Sequence, residues 1–215
     1  MNRFSLQWAG KIPFDSHNIM KILARKMAPL FLLLIFSLGC GLINQVKKQV
    51  EESKKPKVIN STDNKCQLTV PGSWNLEKDL NDVANLQVAN RFAEQYTIVI
   101  SESKQDFGPK MDINKFTDLI RKEVPTAVPG AFITENNPIT INGYPAVQFE
   151  VEGSIDDIKA KWLYTMVDAP NNFHQIIAWS LNSKYEKNKP VFLEVINSFK
   201  ETEGIVLAPP PPVKQ

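Results

Sequence analysis

Residues 139–152 read ITINGYPAVQFEVE, and this stretch predicts a β-hairpin. Asn142-Gly143 is the strongest short signal for a two-residue hairpin turn, because both residues readily adopt left-handed backbone angles. Apolar and polar residues then alternate from Val147 to Val151, which is typical of a strand with one buried face. The stretch therefore predicts two antiparallel strands packed on a core.

Further strands and one helix are predicted around this hairpin. The strands, rich in β-branched and aromatic residues, are residues 66–70, 86–92, 96–102, 158–167 and 173–181. The last is apolar on both faces, as expected of a central strand. Gly153-Ser154 is predicted to begin the connection after the hairpin. The helix is predicted over residues 111–124, with Asp112 as its N-cap and Pro125 at its end.

A second helix is predicted near the C-terminus. Ser183 and Glu186 have the spacing of a capping box. Pro190 would then lie beyond the first turn, so we expect a broken turn and a helix from about Asn188. The fold class is therefore predicted to be α+β, a single domain with an antiparallel sheet flanked by α-helices.

Residues 29–40, PLFLLLIFSLGC, follow a basic segment at 20–26 and predict a secretory signal peptide. A membrane span is the weaker interpretation, since it needs about 20 apolar residues. Gly39 and Cys40 resemble the lipobox of bacterial lipoproteins, although Ser37 stands where leucine is commonest. The resemblance implies cleavage between Gly39 and Cys40, with acyl groups such as palmitate on Cys40. The alternative is an ordinary signal peptide with an incidental cysteine.

The chain is predicted to divide into five segments. Residues 1–19 are either a disordered leader or not translated, if the start codon is assigned too far upstream. The other segments are a lipoprotein signal peptide at 20–39, a lipidated N-terminus and flexible charged tether at 40–63, the predicted α+β domain at 64–202, and a disordered Pro-rich tail at 203–215. The true start is either Met1 or Met20. The tail is either a docking peptide or a solvated terminus.

Composition excludes several function classes. The formal net charge is only +2 and the basic residues are scattered, which argues against nucleic-acid binding. Cys40 and Cys66 are the only cysteines in the sequence, so an acylated Cys40 leaves no disulfide framework. Cys66 lies in a predicted strand and is interpreted as a buried structural cysteine.

Three stretches resemble the PsbP-like family, named for an extrinsic subunit of photosystem II. They are residues 68–74 (LTVPGSW), 141–146 (INGYPA) and 195–199 (VINSF), within a resemblance that covers about residues 63–201. It implies a PsbP-like α/β/α sandwich and a non-enzymatic binding or assembly module. Cyanobacterial members are often lipoproteins, and some bind or help to assemble photosystem II. No family ligand motif matches residue by residue.

The candidate site residues have plain structural interpretations. His174 is predicted to be a hydrogen-bonded structural histidine, because no second histidine or cysteine stands at metal-ligand spacing. The acid pairs Glu150/Glu152 and Asp156/Asp157 are interpreted as solvated surface, the second pair in a connecting turn. Trp74, Trp162 and Trp179 are interpreted as core anchors. We predict no catalytic residue, no metal and no cofactor.

The leading functional hypothesis is an exported, lipid-anchored binding or assembly module for a membrane-associated protein complex. The alternative is a small-ligand or envelope-stress lipoprotein with a cavity between sheet and helix. A hydrolase dependent on His174 or one acid ranks last, because no nucleophile-elbow, P-loop or zinc-protease motif is present. Gly41 favours the periplasmic face of an outer membrane, and a cyanobacterial host would favour the thylakoid lumen.

Overall fold

The computed structural model describes residues 55–202. The predicted leader, signal peptide, Cys40, most of the tether and the Pro-rich tail lie outside these residues. The strands are β1 Lys57–Asn60, β2 Cys66–Val70, β3 Asn75–Leu76, β4 Leu86–Asn90, β5 Gln95–Ser103, β6 Phe132–Ile133, β7 Asn137–Ile141, β8 Tyr144–Ile155, β9 Ile158–Asp168, β10 Asn172–Leu181 and β11 Lys200–Glu201. The helices are α1 Ile113–Ala127 and α2 Asn182–Asn197.

The main sheet has the strand order β3-β4-β5-β10-β9-β8-β6, with β7 also paired to β8. A small sheet has the order β1-β2-β11, and every strand pair in both sheets is antiparallel. One buried cluster joins α1 to one face of the main sheet, and a second joins α2 and the small sheet to the other face. The predicted α+β arrangement is confirmed.

The hairpin at residues 139–152 forms as the sequence predicts. Asn142 and Gly143 have φ angles of 52° and 88°, and they join β7 to β8. The strand β8 continues past Gly153, where a connection was predicted, and the chain turns at Asp156 and Asp157 instead. A Cβ at Gly153 would lie 2.4 Å from Val128 Cγ1, so this glycine permits close packing on the end of α1.

Strand β10 occupies the centre of the main sheet, as predicted. It pairs with β5 on one side and β9 on the other. Phe173 and Ile177 pack in the cluster that contains α1, whereas Ile176 and Ala178 pack in the cluster that contains α2. Both faces are therefore covered, which explains the continuous apolar run.

Helix α1 begins as predicted but ends later. The Asp112 side chain accepts a hydrogen bond from the Lys115 backbone N–H at 2.9 Å, and this cap fixes the start. The expectation that Pro125 ends the helix is wrong, because Pro125 lies inside α1. The Val128 N–H still donates to the Val124 carbonyl at 2.8 Å, so the proline removes one donor without stopping the last turn.

Helix α2 is continuous, and the predicted broken turn before Asn188 is wrong. The helix begins at Asn182 without a side-chain cap, so the expected capping box does not form, and Pro190 lies in its interior. Tyr185 and Phe192, on either side of the proline, are both fully buried. An interior proline costs about 3 kcal/mol. Burial of two aromatic side chains offsets this cost, since each contributes roughly 1.5–3 kcal/mol.

The folded part begins before residue 64, within the segment predicted as tether. Strand β1 pairs with β2, with Lys57 opposite Val70 and Ile59 opposite Leu68. The Ile59 side chain packs against the core. A second boundary also differs: β4 ends at Asn90, so Phe92 lies in a turn rather than in the predicted strand.

Candidate functional site

A cleft of about 460 Å³ lies where β5 ends and β10 begins, beside the last strand, β11. Its lining residues are Asp63, Lys65, Ser103, Lys104, Gln105, Pro170, Asn171, Asn172 and Thr202. They come from four separate loops, and most carry amide, hydroxyl or ammonium groups. The cleft lies at the end of the main sheet rather than between sheet and helix.

Two turns build one wall of the cleft. The 3-10 turn Lys104–Asp106 begins where the Ser103 hydroxyl accepts a hydrogen bond from the Gln105 N–H. The Lys104 N–H donates to the Asn171 carbonyl at 3.1 Å, which joins this turn to the β9–β10 loop. The Lys104 ammonium forms an ion pair with Asp168. The wall is therefore fixed by both backbone and side-chain contacts.

His174 lies directly behind the cleft in a fully enclosed setting. Its side chain is 0% exposed, its Nδ1 is 2.9 Å from the Ser101 hydroxyl, and its Nε2 is 3.3 Å from Glu201 Oε1. The ring packs against Phe199 with a centroid distance of 4.8 Å. Both ring nitrogens thus have partners, and the prediction of a hydrogen-bonded structural histidine is confirmed.

Glu201 is the acidic member of this cluster, and its side chain is only 3% exposed. Asn172 Nδ2 donates to Oε1 at 2.6 Å, and the Asn171 N–H donates to Oε2 at 3.1 Å. Burial raises the pKa of Glu201, but these hydrogen bonds and the one from His174 outweigh burial and hold its pKa at about 2. The carboxylate therefore ties β11 to the start of β10.

Cys66 completes the cluster as a buried thiol, as predicted. Its Sγ lies 3.9 Å from the Ser101 hydroxyl, and the residue is 0% exposed. Burial raises the pKa of this thiol to about 11, which keeps it protonated. A protonated, enclosed thiol is a poor nucleophile, so the setting fits a structural role.

Ser101, His174 and Glu201 have the residue types of a hydrolytic triad, but the structure encloses the histidine. A catalytic base must reach the proton that it removes from a substrate. Here the imidazole is enclosed, and the Ser101 hydroxyl lies against it and the Cys66 thiol. The cluster holds β2, β5, β10 and β11 together, and the adjoining cleft offers polar groups suited to binding.

The remaining predicted site residues lie away from the cleft. Glu152 is exposed, and Asp156 and Asp157 form the tight turn between β8 and β9. Trp74, Trp162 and Trp179 are buried, which confirms their interpretation as core anchors. In the structure, Ser101 contacts both His174 and Cys66. Neither the Glu150/Glu152 pair nor the Asp156/Asp157 pair lies in this cluster.

The interpretation of Glu150 as solvated surface is wrong. Its carboxylate lies beneath α2, with Lys161 Nζ and Lys189 Nζ each at 2.7 Å and the Tyr185 hydroxyl at 3.1 Å. Burial raises the pKa of Glu150, but the two lysines outweigh burial and lower it. The alternating pattern of β8 correctly predicted that Glu150 lies on the opposite face of the strand from Phe149. That face is covered by α2 and is not open to solvent.

Sequence reasoning missed Glu201 and the cleft residues Lys104, Asn171 and Asn172. They are polar residues at strand ends, and no local motif marks them. The pairing of β5 with β10 brings Lys104 to the two asparagines, and the packing of the small sheet against the main sheet brings Glu201 to them. The Asp-Ala-Pro-Asn-Asn turn signal at residues 168–172 was the one available indication of a loop here.

Within residues 55–202, no three histidine, cysteine, aspartate or glutamate side chains form a group that could hold a metal ion. In the same range, no helix has the length and hydropathy needed to cross a bilayer. Cys40 and Gly39 lie outside the described residues.

No protein-family profile and no curated protein matches this chain. Two of the solved structures that are similar to this chain have a TM-score above 0.5. The first is cyanobacterial PsbP (CyanoP) from Synechocystis sp. PCC 6803, with 13% identity, a TM-score of 0.54, and coverage of 69% of this chain and 93% of that chain. The second is LpqN of Mycobacterium tuberculosis, described as involved in cell envelope biogenesis, with 16% identity, a TM-score of 0.51, and coverage of 69% and 91%.

These likenesses show that the chain has a PsbP-like fold, as the sequence resemblance implied. Each neighbour is matched over most of its own length, so the likeness concerns the whole domain. At these identities the comparison concerns the fold alone.

Proposed function

We propose that this chain is an exported lipoprotein, anchored through acylated Cys40, whose PsbP-like domain is a non-enzymatic binding or assembly module for a membrane-associated protein complex. The signal-like stretch ending in Gly39-Cys40 supports export and anchoring. The LpqN structure, described as involved in cell envelope biogenesis, supports an envelope location. Gly41 favours the periplasmic face of an outer membrane, and the thylakoid lumen would apply in a cyanobacterium.

One observation carries the non-enzymatic part of the proposal: His174 is enclosed and both its ring nitrogens are occupied. The groups that line the cleft are lysine, amide and hydroxyl groups and the Asp63 carboxylate, which are suited to binding a partner and include no activated nucleophile. The side chains of Lys65 and Lys104 are 42% and 33% exposed, so both remain partly available to a partner.

The proposal is tested by capturing partners of the mature, membrane-extracted protein in mild detergent. A Lys65→Glu, Gln105→Glu double variant changes the cleft charge and leaves the Lys104–Asp168 ion pair in place. The matched charge control is Asn114→Glu, Lys122→Glu, at two exposed positions of α1, which changes the net charge by the same amount. We expect wild type and this control to recover the same complex and the cleft double variant to recover less of it. A clean wild-type preparation without partners would contradict the proposal.

A small-ligand carrier is the second candidate, and the 460 Å³ cleft favours it because this volume suits a small molecule. A ligand that binds only the native state raises the melting temperature. A thermal-shift screen that finds such a ligand, with the shift lost in the cleft double variant, would favour the carrier over the assembly module.

A further inference from the structure

Phe92 is the most exposed large apolar side chain in the part of the chain that the structure describes, at 99%. It lies in the turn between β4 and β5, which is well ordered by hydrogen bonds. The Ala93 N–H donates to the carbonyl and the side-chain oxygen of Asn90, both at 3.1 Å, and the Glu94 N–H donates to the Arg91 carbonyl at 3.2 Å. These hydrogen bonds therefore fix the turn that exposes the ring.

The turn itself has no need of an aromatic residue. Turns favour glycine, asparagine, aspartate, serine and proline, because these residues suit the backbone angles or bond to the backbone. The strained position, with a φ of 56°, belongs to Glu94 rather than Phe92. The fold therefore gives no reason for a phenyl ring here, which points to contact with something outside the domain.

Phe92 lies at the corner of the domain where the N-terminal tether joins the fold. Lys57, in the first strand, is paired with Val70. Ser73, three residues beyond Val70, accepts a hydrogen bond from Asn90 Nδ2 at 3.3 Å. We call this region, formed by the start of β1, residues 71–73 and the β4–β5 turn, the tether corner.

Exposed apolar side chains concentrate around the tether corner. Within residues 55–202, five large apolar residues are exposed: Val58, Leu76, Val83, Phe92 and Phe132. Val58 belongs to β1, and Leu76 belongs to β3, which begins two residues after Ser73. With Phe92, three of the five thus belong to segments that form or follow the tether corner, whereas Val83 lies in the β3–β4 loop and Phe132 lies on β6 at the far side of the main sheet.

The length of the tether keeps this corner near the bilayer if Cys40 is acylated. Lys55 follows Cys40 by 15 positions, and 15 residues span at most about 50 Å even when fully extended. The tether corner is the part of the domain to which this restraint applies directly. A weak surface contact then becomes effective, because attachment converts it into an intramolecular event.

Two of the three charged residues of the tether corner, Arg91 and Glu94, form ion pairs, and Lys57 forms none within residues 55–202. Arg91 forms ion pairs with Glu77 and Asp79, and Lys184 forms one with Glu94 at 2.9 Å. Contact with a bilayer is therefore expected to depend on insertion of the apolar ring and only weakly on anionic lipid.

We propose that the tether corner rests on the lipid surface that carries the anchor, with the Phe92 ring inserted between the headgroups and the upper acyl chains. This inference rests on the proposed function, since it takes the membrane of the Cys40 anchor as the partner. It adds an orientation: the cleft beside β11, at the other end of β5, faces away from the bilayer and towards the aqueous compartment.

A depth measurement on vesicles tests this orientation. The chain from residue 40 carries Cys40→Ser and an N-terminal hexahistidine tag, and nickel-chelating lipids in phosphatidylcholine vesicles replace the acyl anchor. A polarity-sensitive thiol probe is placed at Phe92→Cys or, as the matched control, at Phe132→Cys. Cys66 is buried and its pKa is raised, so the parent chain should take up no probe.

We expect the probe at position 92 to shift to the blue and to lose fluorescence to nitroxide lipids labelled near the top of the acyl chain. The probe at position 132 should do neither. Replacing a third of the phosphatidylcholine by phosphatidylglycerol should increase the quenching at position 92 only slightly, because Lys57 is the one charged residue of the corner without an ion pair within residues 55–202. Equal quenching at both positions, or none at position 92, would overturn the proposal. A blue shift that appears without vesicles and grows with protein concentration would overturn it in favour of self-association.

The nickel tether separates this inference from the anchoring claim. If Cys40 proves not to be acylated in cells while position 92 is still quenched, anchoring fails and the affinity of the corner for lipid stands. If Cys40 is acylated and position 92 is not quenched, the anchor stands and the orientation is wrong.

Discussion

The two ends of β5 have opposite surface chemistry. At the Ser103 end, the chain encloses its polar, chemically reactive groups, with His174 and Glu201 at 0% and 3% side-chain exposure. At the Gln95 end, an adjoining turn presents a phenyl ring that is 99% exposed. One end of β5 therefore buries a hydrogen-bonded polar cluster, and the other end exposes an apolar ring.

Substitutions in the buried cluster at the Ser103 end of β5 are expected to lower the free energy of unfolding the most. His174→Leu removes the hydrogen bonds of the imidazole to Ser101 and to Glu201. It also leaves the buried Glu201 carboxylate beside an apolar side chain. Glu201 keeps its hydrogen bonds from Asn171 and Asn172, and the loss of one hydrogen bond to a buried charged group costs about 1.5–3 kcal/mol. We expect a loss of unfolding free energy near this range in urea denaturation. A loss below about 1 kcal/mol would mean that the cluster does not hold β11 to the sheet.

The same cluster predicts a pH dependence. The pKa of Glu201 is about 2 in the folded chain, against about 4.3 for an unperturbed glutamate. The unfolded chain therefore takes up this proton first, so the associated stability is present above pH 4.3 and is lost as the pH falls towards 2. We expect about 1–3 kcal/mol from this group.

The measurement is the melting temperature of wild type and Glu201→Gln between pH 7 and pH 2.5. The two curves should converge as the pH falls, because the variant lacks the titrating group. Parallel curves over this interval would show that the Glu201 carboxylate contributes no pH-dependent stability.

The other end of β5 depends on its turn. Asn90→Ala removes the side-chain hydrogen bonds to the Ala93 N–H and to Ser73. We expect a loss of about 1 kcal/mol, since each such bond contributes about that amount or less. Hydrogen exchange at Ala93 should also become faster. Unchanged exchange would show that the backbone alone holds the turn.

The smallest effect on folding is expected for Phe92→Ser. The ring has almost no contacts to lose, so the unfolding free energy should stay within about 0.5 kcal/mol of wild type. Vesicle contact should nevertheless be lost. A large destabilisation would show that the ring supports the fold and would remove the contrast between the two ends.

The sequence predicted the elements that depend on local patterns. Asn142-Gly143 and the alternation from Val147 to Val151 correctly indicated the hairpin, and the two-sided apolar run correctly placed β10 at the centre of the sheet. These features are decided by turn geometry and side-chain period, which neighbouring residues determine.

The failures occurred where tertiary contacts prevail over local preference. Pro190 indicated a helix break, but burial of Tyr185 and Phe192 keeps α2 continuous. Glu150 has the alternation of a solvated face, yet α2 covers that face. Glu201 lies 27 positions after His174 and in the other sheet, and the packing of the small sheet against the main sheet brings them together.

The central claim is that a lipid on Cys40 holds this domain at a membrane. The most direct test is the intact mass of the protein purified from the membrane fraction, with Cys40→Ser as the comparison. The account predicts an N-terminus at Cys40 that carries the mass of its acyl groups, and a serine variant that leaves the membrane fraction. An unmodified N-terminus, or a serine variant that remains with the membrane, would contradict it.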